Sequence, residues 1–265
     1  MIVIHKAKGK VLGLLFLMQI SLLSACSNTI NSSTNSIQQD SSSSSPKVTI
    51  DKFEKFNRGI YKGNIALDRH IFKPVAKAYK AVTPEPIDTS ISNFFENLGD
   101  IKNAANNLLQ FKVGDALIDT ERFIFNSTFG MAGLFDIATE MGLQKHDEDF
   151  GQTLAKWGVG SGPYIMLPLF GPSTLRDATA KFTLDSLMDP TRHSDEKYKL
   201  FTLEKLDKRA DLLSTEEAFK DLSDDKYIAL RDAWLQRREY LIRDGKVDEK
   251  QQSDMIDVLE DLDDD

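Results

Sequence analysis

Cys26, the single cysteine of the chain, closes the run Leu23-Ser24-Ala25-Cys26. Small residues ahead of a cysteine form the pattern cut by the lipoprotein signal peptidase of bacteria, and the thiol takes a diacylglycerol before cleavage. Lys6, Lys8 and Lys10 precede the apolar stretch Val11 to Leu23. As a helix that stretch is about 20 Å long, short of the ~30 Å hydrocarbon core. Residues 1–25 therefore read as a signal peptide rather than a permanent span. An ordinary secretory signal with a chance cysteine is the alternative. Ser27 is not the Asp that would signal inner-membrane retention, so an outer-membrane destination is expected. Losing residues 1–25 removes three lysines and no acids, which takes the formal charge from −8 to −11. Two or three acyl chains suffice for stable anchoring.

Other groups with possible chemistry are weaker. Gly158-Val159-Gly160-Ser161-Gly162 imitates a nucleotide loop, but Trp157 precedes it and Pro163 follows where a strand and a helix are needed. A tight backbone turn is the expected reading. Ser161 lacks the flanking glycines of a nucleophile elbow. Asp147-Glu148-Asp149 could face a hard cation, but Gln152 stands at the sixth loop position where a calcium loop needs Gly, so a solvated acidic loop is expected. His70, His146 and His193 have no paired ligand spacing and read as surface or capping residues. Neither a metal nor another cofactor is expected, and no catalytic residue is assigned.

Phe56-Asn57-Arg58 puts an aromatic, an amide and a guanidinium in a row. Two readings stand: the rim of a lipid passage, with the guanidinium facing a phosphate, or a helix-packing Phe beside a solvent Arg. Asn93, Asn97, Asn106 and Asn107 sit partly off the apolar face of a helix. They either line a polar passage or cap and solvate. Arg237-Arg238 with Trp234 and Tyr240 is a basic, aromatic patch suited to a headgroup boundary, or an ordinary solvated helix face.

The elements that would position these groups are helical. In 265 residues, 41% are hydrophobic and 28% charged, enough for a core and against wholesale disorder. The acidic balance argues against nucleic acid as a partner. Ile91, Phe94, Phe95, Leu98, Ile101, Ala105 and Leu108 mark one apolar helix face, with a cap at Asp88, Thr89 or Ser90. Further helices are expected near Val113–Asn126, near Ala132–Met141, and from a Ser173 cap to Met188. Ser214 with Glu217 reads as a capping box before a long polar helix ending at Asp244, with Gly245 as its C′ residue. No segment alternates as a half-buried strand does. Residues 26–49 read as a serine-rich tether of roughly 25 Å reach, residues 50–245 as the folded domain, and residues 246–265 as an acidic tail. Two stretches resist the helical pattern: Phe123–Phe135, and Pro163–Pro172, whose three prolines exclude a regular helix or a central strand. Phe129, Tyr164, Ile165, Leu167, Leu169 and Phe170 in them either join the protein's own core or face lipid.

Taken in order, several runs resemble a known family. They are Phe56-Asn57-Arg58, Pro74-Val75-Ala76-Lys77, Ser92-Asn93-Phe94-Phe95, Asn106-Asn107-Leu108-Leu109-Gln110, Asn126-Ser127-Thr128, and Phe150-Gly151-Gln152-Thr153-Leu154. Trp157-Gly158-Val159-Gly160, Gly162-Pro163-Tyr164 and Leu175-Arg176-Asp177 continue the series. Over roughly residues 51–245 the sequence resembles the MlaA (VacJ) family of phospholipid-trafficking outer-membrane lipoproteins. The tether and tail lie outside the shared region, and Ser161 departs from it mildly.

The resemblance implies an all-α fold, a ring of amphipathic helices in the periplasmic leaflet of the outer membrane around a central channel. It implies removal of phospholipid that has strayed into the outer leaflet, hand-over to a soluble periplasmic phospholipid carrier, and a trimeric porin as neighbour. On that view Phe56, Asn57, Arg58, Asn93, Asn97 and Asn106 are expected along the lipid path. An anchored scaffold that binds a porin without moving lipid is the alternative, and a phospholipase a third reading.

Overall fold

The computed structural model describes residues 51–216 and 225–246. The signal segment, Cys26, the serine tether, Glu217 and all but Lys246 of the acidic tail lie outside the described residues. Within these, the helices are α1 (Glu54–Leu67), α2 (Lys73–Val82), α3 (Glu85–Leu109), α4 (Val113–Thr128), α5 (Ile137–Glu140), α6 (Phe150–Lys156), α7 (Leu175–Phe182), α8 (Leu184–Met188), α9 (Lys197–Thr215) and α10 (Lys226–Ile242). The fold class is all-α.

A π-helical turn, Asp68–Phe72, joins α1 to α2. Pro74 cannot continue an α ladder, and the wider turn before it absorbs the missing bond. α3 begins before the expected cap, at Glu85, because Pro86 fits the first turn, where an N–H is surplus. Asp88 instead turns inward and accepts from the Lys80 ammonium. The helix expected over Ala132–Met141 is only the single turn of α5. Met131 and Ala132 take left-handed backbone (φ 52° and 61°) and fold residues 129–135 into a tight loop, after which Asp136 caps α5 through the Thr139 amide. Thr174, not Ser173, caps α7, and the chain breaks at Thr183 before α8. Ser214 lies in the last turn of α9 and donates to the Asp211 carbonyl, so it starts no helix.

The proline-bracketed stretch is a two-stranded antiparallel ribbon, β1 (Tyr164–Leu167) and β2 (Gly171–Thr174), with Tyr164 opposite Thr174 and Met166 opposite Pro172. Proline excludes a central strand, but both strands of a two-stranded ribbon are edges. The outer edge of β1 is closed by a helix. The Asn57 amide of α1 donates to the Tyr164 carbonyl at 3.2 Å and accepts the Met166 N–H at 2.8 Å. Two turns along, Asn64 donates to the Leu167 carbonyl and accepts the Leu169 N–H, both at 2.9 Å. Tyr164, Met166 and Tyr227 form a small apolar core, with Ile60, Tyr61, Trp234 and Leu235 against it.

Elsewhere the burial is reversed. α3 and α4 make the most extensive helix pair, and the fully or nearly buried side chains on them are largely polar: Asn97, Asp100, Asn103, Asn106, Asn107, Asp119, Arg122 and Asn126. They are tied to one another and to the following loop. Asn107 donates to Asp119 at 2.8 Å, Arg122 reaches both oxygens of Asp136 at 3.0–3.1 Å, and the Thr153 hydroxyl donates to Asn106 at 2.9 Å. The apolar stripe of α3 is only partly covered, and Leu108 is exposed. Phe111 is 87% and Phe129 69% exposed. No described helix is long and apolar enough to cross a membrane.

Candidate functional site

Short elements converge on a polar cavity of about 190 Å³ between α6, α7, α8 and α10. Asp149 caps α6, accepting the Gln152 amide at 2.9 Å. Asp177 lies in the first turn of α7 and accepts from the Thr174 hydroxyl at 2.9 Å. Lys181 follows one turn later on the same helix, and Asp185 follows on α8, where it accepts the Phe150 amide at 2.9 Å. Arg237 and Arg238 reach the cavity from α10.

Arg238 holds two carboxylates at once. It donates to both oxygens of Asp149 at 2.6 and 2.7 Å, and to both of Asp177 at 2.9 and 3.0 Å. Gly151 leaves the room for this, since a Cβ there would lie 2.4 Å from Arg238 Nη2 and from Asp177 Oδ1. Burial alone would raise the Asp149 carboxyl, but the Arg238 hydrogen bonds and charge outweigh it and hold the group near about 2. Asp185 moves the other way, pushed up by burial against the Phe150 amide. Burial, then the neighbouring Lys205, pulls Lys181 down.

Lys181 and Arg237 have no hydrogen bond or ion pair among the described residues, although the Lys181 ammonium lies 5.7 Å from the Phe170 ring centroid. Two cations and one carboxylate (Asp185) are thus left without an ion pair around a polar hollow. Such a set can hold a phosphodiester. A second cleft, about 470 Å³, runs between α3 and α4 and is lined by apolar side chains such as Ile101, Leu108, Leu117 and Phe123. Asp100 also lines it. Its carboxylate oxygens accept no hydrogen bond among the described residues but lie 3.5 Å from Arg122 and 3.7 Å from Lys145, and burial pushes the group up to about 6 despite those cations.

The residues singled out by sequence fall into different roles. Phe56 is 63% exposed. Asn57 is fully buried, and its amide holds β1 and the Asp51 carboxylate, so it braces a wall instead of facing a passage. Arg58 pairs with Glu54 and Asp225 at 2.7 Å and stacks over the Tyr227 ring, 4.5 Å from its centroid. It is neither a solvent arginine nor one free for a phosphate. Asn93 donates to the Leu134 carbonyl, Asn97 to the Ser127 hydroxyl and Asn106 to the Lys102 carbonyl, all within the helix packing.

Among the residues expected to face lipid, Leu169 and Phe129 are exposed, while Ile165, Leu167 and Phe170 are partly covered. Tyr164 is turned inward at 4% exposure, because its ring packs edge-on to Tyr227 and Trp234.

The acidic run is not a solvated loop. Glu148 is buried against Lys112 at 2.7 Å, and Asp149 belongs to Arg238. Arg238 is buried and does not belong to a solvated face, whereas Arg237 and Tyr240 beside it on α10 are exposed. Gly158 and Gly162 take positive φ (85° and 67°), as a backbone turn requires. Sequence reasoning missed Lys181, Asp177 and Asp185. The one signal was the four-residue spacing of Asp177 and Lys181, which stacks them on α7; Asp185 lies beyond the break at Thr183.

A family model described as MlaA lipoprotein matches residues 49–241. The chain is 33% identical over 224 residues to the "Intermembrane phospholipid transport system lipoprotein MlaA" of Escherichia coli (strain K12), covering 81% of this chain and 87% of that one. The Haemophilus influenzae protein of the same name is 30% identical, with 80% and 87% covered. A Rickettsia typhi protein is 35% identical over 193 residues, with 71% and 76% covered. A solved structure described as "Structural basis for maintenance of bacterial outer membrane lipid asymmetry" superposes with a TM-score of 0.66 at 34% identity, covering 73% of this chain and all of that one. With buried polar helices, outward apolar faces and matches that span most of the folded region, this chain belongs to the MlaA lipoprotein family.

Proposed function

We propose that this chain removes phospholipids that have strayed into the outer leaflet of the outer membrane and passes them to a soluble periplasmic carrier, preserving lipid asymmetry. The observation that carries this reading is the reversed burial. Asparagines, aspartates and Arg122 pack between the helices while Phe111, Leu117, Ile124 and Phe129 face outward. Large apolar side chains exposed in such number are disfavoured in water and favoured among acyl chains. The helices then lie within one leaflet, the periplasmic one, held also by acyl chains on Cys26, with a trimeric porin beside them. Moving a phosphate through hydrocarbon unpaired costs many kcal/mol, on the order of the penalty for any buried lone charge. A polar route through the protein removes that barrier without breaking a covalent bond, so the protein acts as a transporter and not as an enzyme.

The test is a strain lacking the gene. Outer-leaflet phospholipid should rise, and re-expression of the wild-type chain should restore the normal surface. Unchanged outer-leaflet phospholipid in the deletion strain would favour a scaffold that moves no lipid.

A further inference from the structure

The geometry points to the cavity between α6, α7, α8 and α10 as a station for a zwitterionic phospholipid headgroup, with Lys181 and Arg237 on the phosphodiester and Asp185 on a terminal ammonium. It rests on the transport reading above and names the lipid class that the site prefers.

Three observations carry it. First, the charges around the cavity balance: Asp149, Asp177 and Asp185 face Lys181, Arg237 and Arg238. A net-neutral, dipolar site suits a net-neutral, dipolar ligand better than a net anion. Second, the pairing is incomplete in one specific way. Arg238 is consumed by Asp149 and Asp177, which leaves Lys181, Arg237 and Asp185 with no ion pair among the described residues. Lys181 and Asp185 are partly removed from water, where an unpaired charge is costly, and Arg237 is exposed beside them; each of the three is met by one end of a phosphate–ammonium ligand. Third, the volume of about 190 Å³ equals the liquid volume of about six waters. That is room for a phosphate carrying a two-carbon amine, with the acyl chains left outside. A glycerol headgroup fills similar space but offers Asp185 only hydroxyls.

The full-length lipidated protein is prepared in maltoside micelles holding equal mole fractions of phosphatidylethanolamine and phosphatidylglycerol with identical acyl chains. Bound lipid is counted by native mass spectrometry. Wild type should retain the ethanolamine lipid in about five- to tenfold excess, where tenfold is 1.4 kcal/mol. Asp185→Asn keeps the acceptor for the Phe150 amide and should melt like wild type, yet its ratio should fall to about one with total bound lipid maintained. Lys181→Gln should lower retention of both lipids.

A wild-type ratio near one, or an Asp185→Asn ratio unchanged from wild type, overturns the assignment while leaving transport standing. Absence of any bound lipid, together with a deletion strain of normal outer leaflet, removes the transport reading itself. In a parallel arm with inorganic phosphate, stable phosphate adducts without lipid adducts would give the cavity to the free ion and overturn the headgroup proposal.

Discussion

The guanidinium of Arg238 serves four carboxylate oxygens on two helix starts, those of α6 and α7. A lysine ammonium is a point charge and cannot reproduce that fork. Arg238→Lys should therefore lower the melting temperature by several degrees. Arg238→Ala, which leaves Asp149 and Asp177 without their cation, should cost about 3–5 kcal/mol. The pH dependence gives a sharper check. Asp149 titrates near about 2 in the fold and near 3.9 when unfolded. Its contribution, about 2 kcal/mol, is complete above roughly pH 5 and disappears as pH falls toward 2. Thermal melts between pH 5 and 2 should show that loss in wild type and a flatter slope in Arg238→Ala; equal slopes would remove Asp149 from the account. None of this was readable from the run Asp147-Glu148-Asp149, because the partner lies 89 residues away. A charge run looks the same in sequence whether water or a distant arginine satisfies it.

Elements with a strong period were legible and irregular ones were not. The stripe on α3 and the start of α4 at Val113 followed from spacing and from the Gln110–Lys112 break. The ribbon did not, because its β1 edge is satisfied by α1 side chains and not by a third strand. Asn57 and Asn64, seven residues apart, copy the alternating donor and acceptor of a neighbouring strand. Periodicity shows that such residues share a face but cannot show that a backbone lies against it. Asn57→Ala orphans a buried carbonyl and N–H and leaves the Asp51 carboxylate to the Tyr227 hydroxyl and the Phe53 amide, a loss of about 2–3 kcal/mol. Hydrogen exchange should report it locally: the Met166 amide should lose protection while amides in the middle of α4 keep theirs. Asn57→Asp should be worse, since it removes the donor and faces Asp51 with a like charge. Equal protection at Met166 in wild type and Asn57→Ala would show that the helix does not hold the ribbon.

Over the whole folded region, composition could not reveal which side of each helix meets solvent. A chain with 41% hydrophobic residues fits a water-soluble globule as readily as a leaflet-embedded one, and helical spacing marks a stripe without saying what covers it. The side becomes clear only when α3 and α4 are packed, because the amides and carboxylates buried on them bond to one another, as Asn107 to Asp119, and to neighbouring elements, as Asn126 to Asp136 and Thr153 to Asn106. That arrangement separates two sources of membrane affinity, the acyl anchor and the protein surface. A Cys26→Ser variant lacks the first and should still sediment with membranes through alkaline carbonate. Each large apolar side chain that moves from water into acyl chains contributes about 1.5–3 kcal/mol. Adding Phe111→Asp, Leu117→Asp and Phe129→Asp, all at exposed positions, therefore removes about 4.5–9 kcal/mol before the cost of the new charges is counted. The combined variant should move largely to the supernatant with its helical content intact by circular dichroism. Full release of Cys26→Ser alone, as a monomer in detergent-free buffer, would mean that the anchor carries all of the membrane affinity and that the outward apolar faces are covered by something other than lipid.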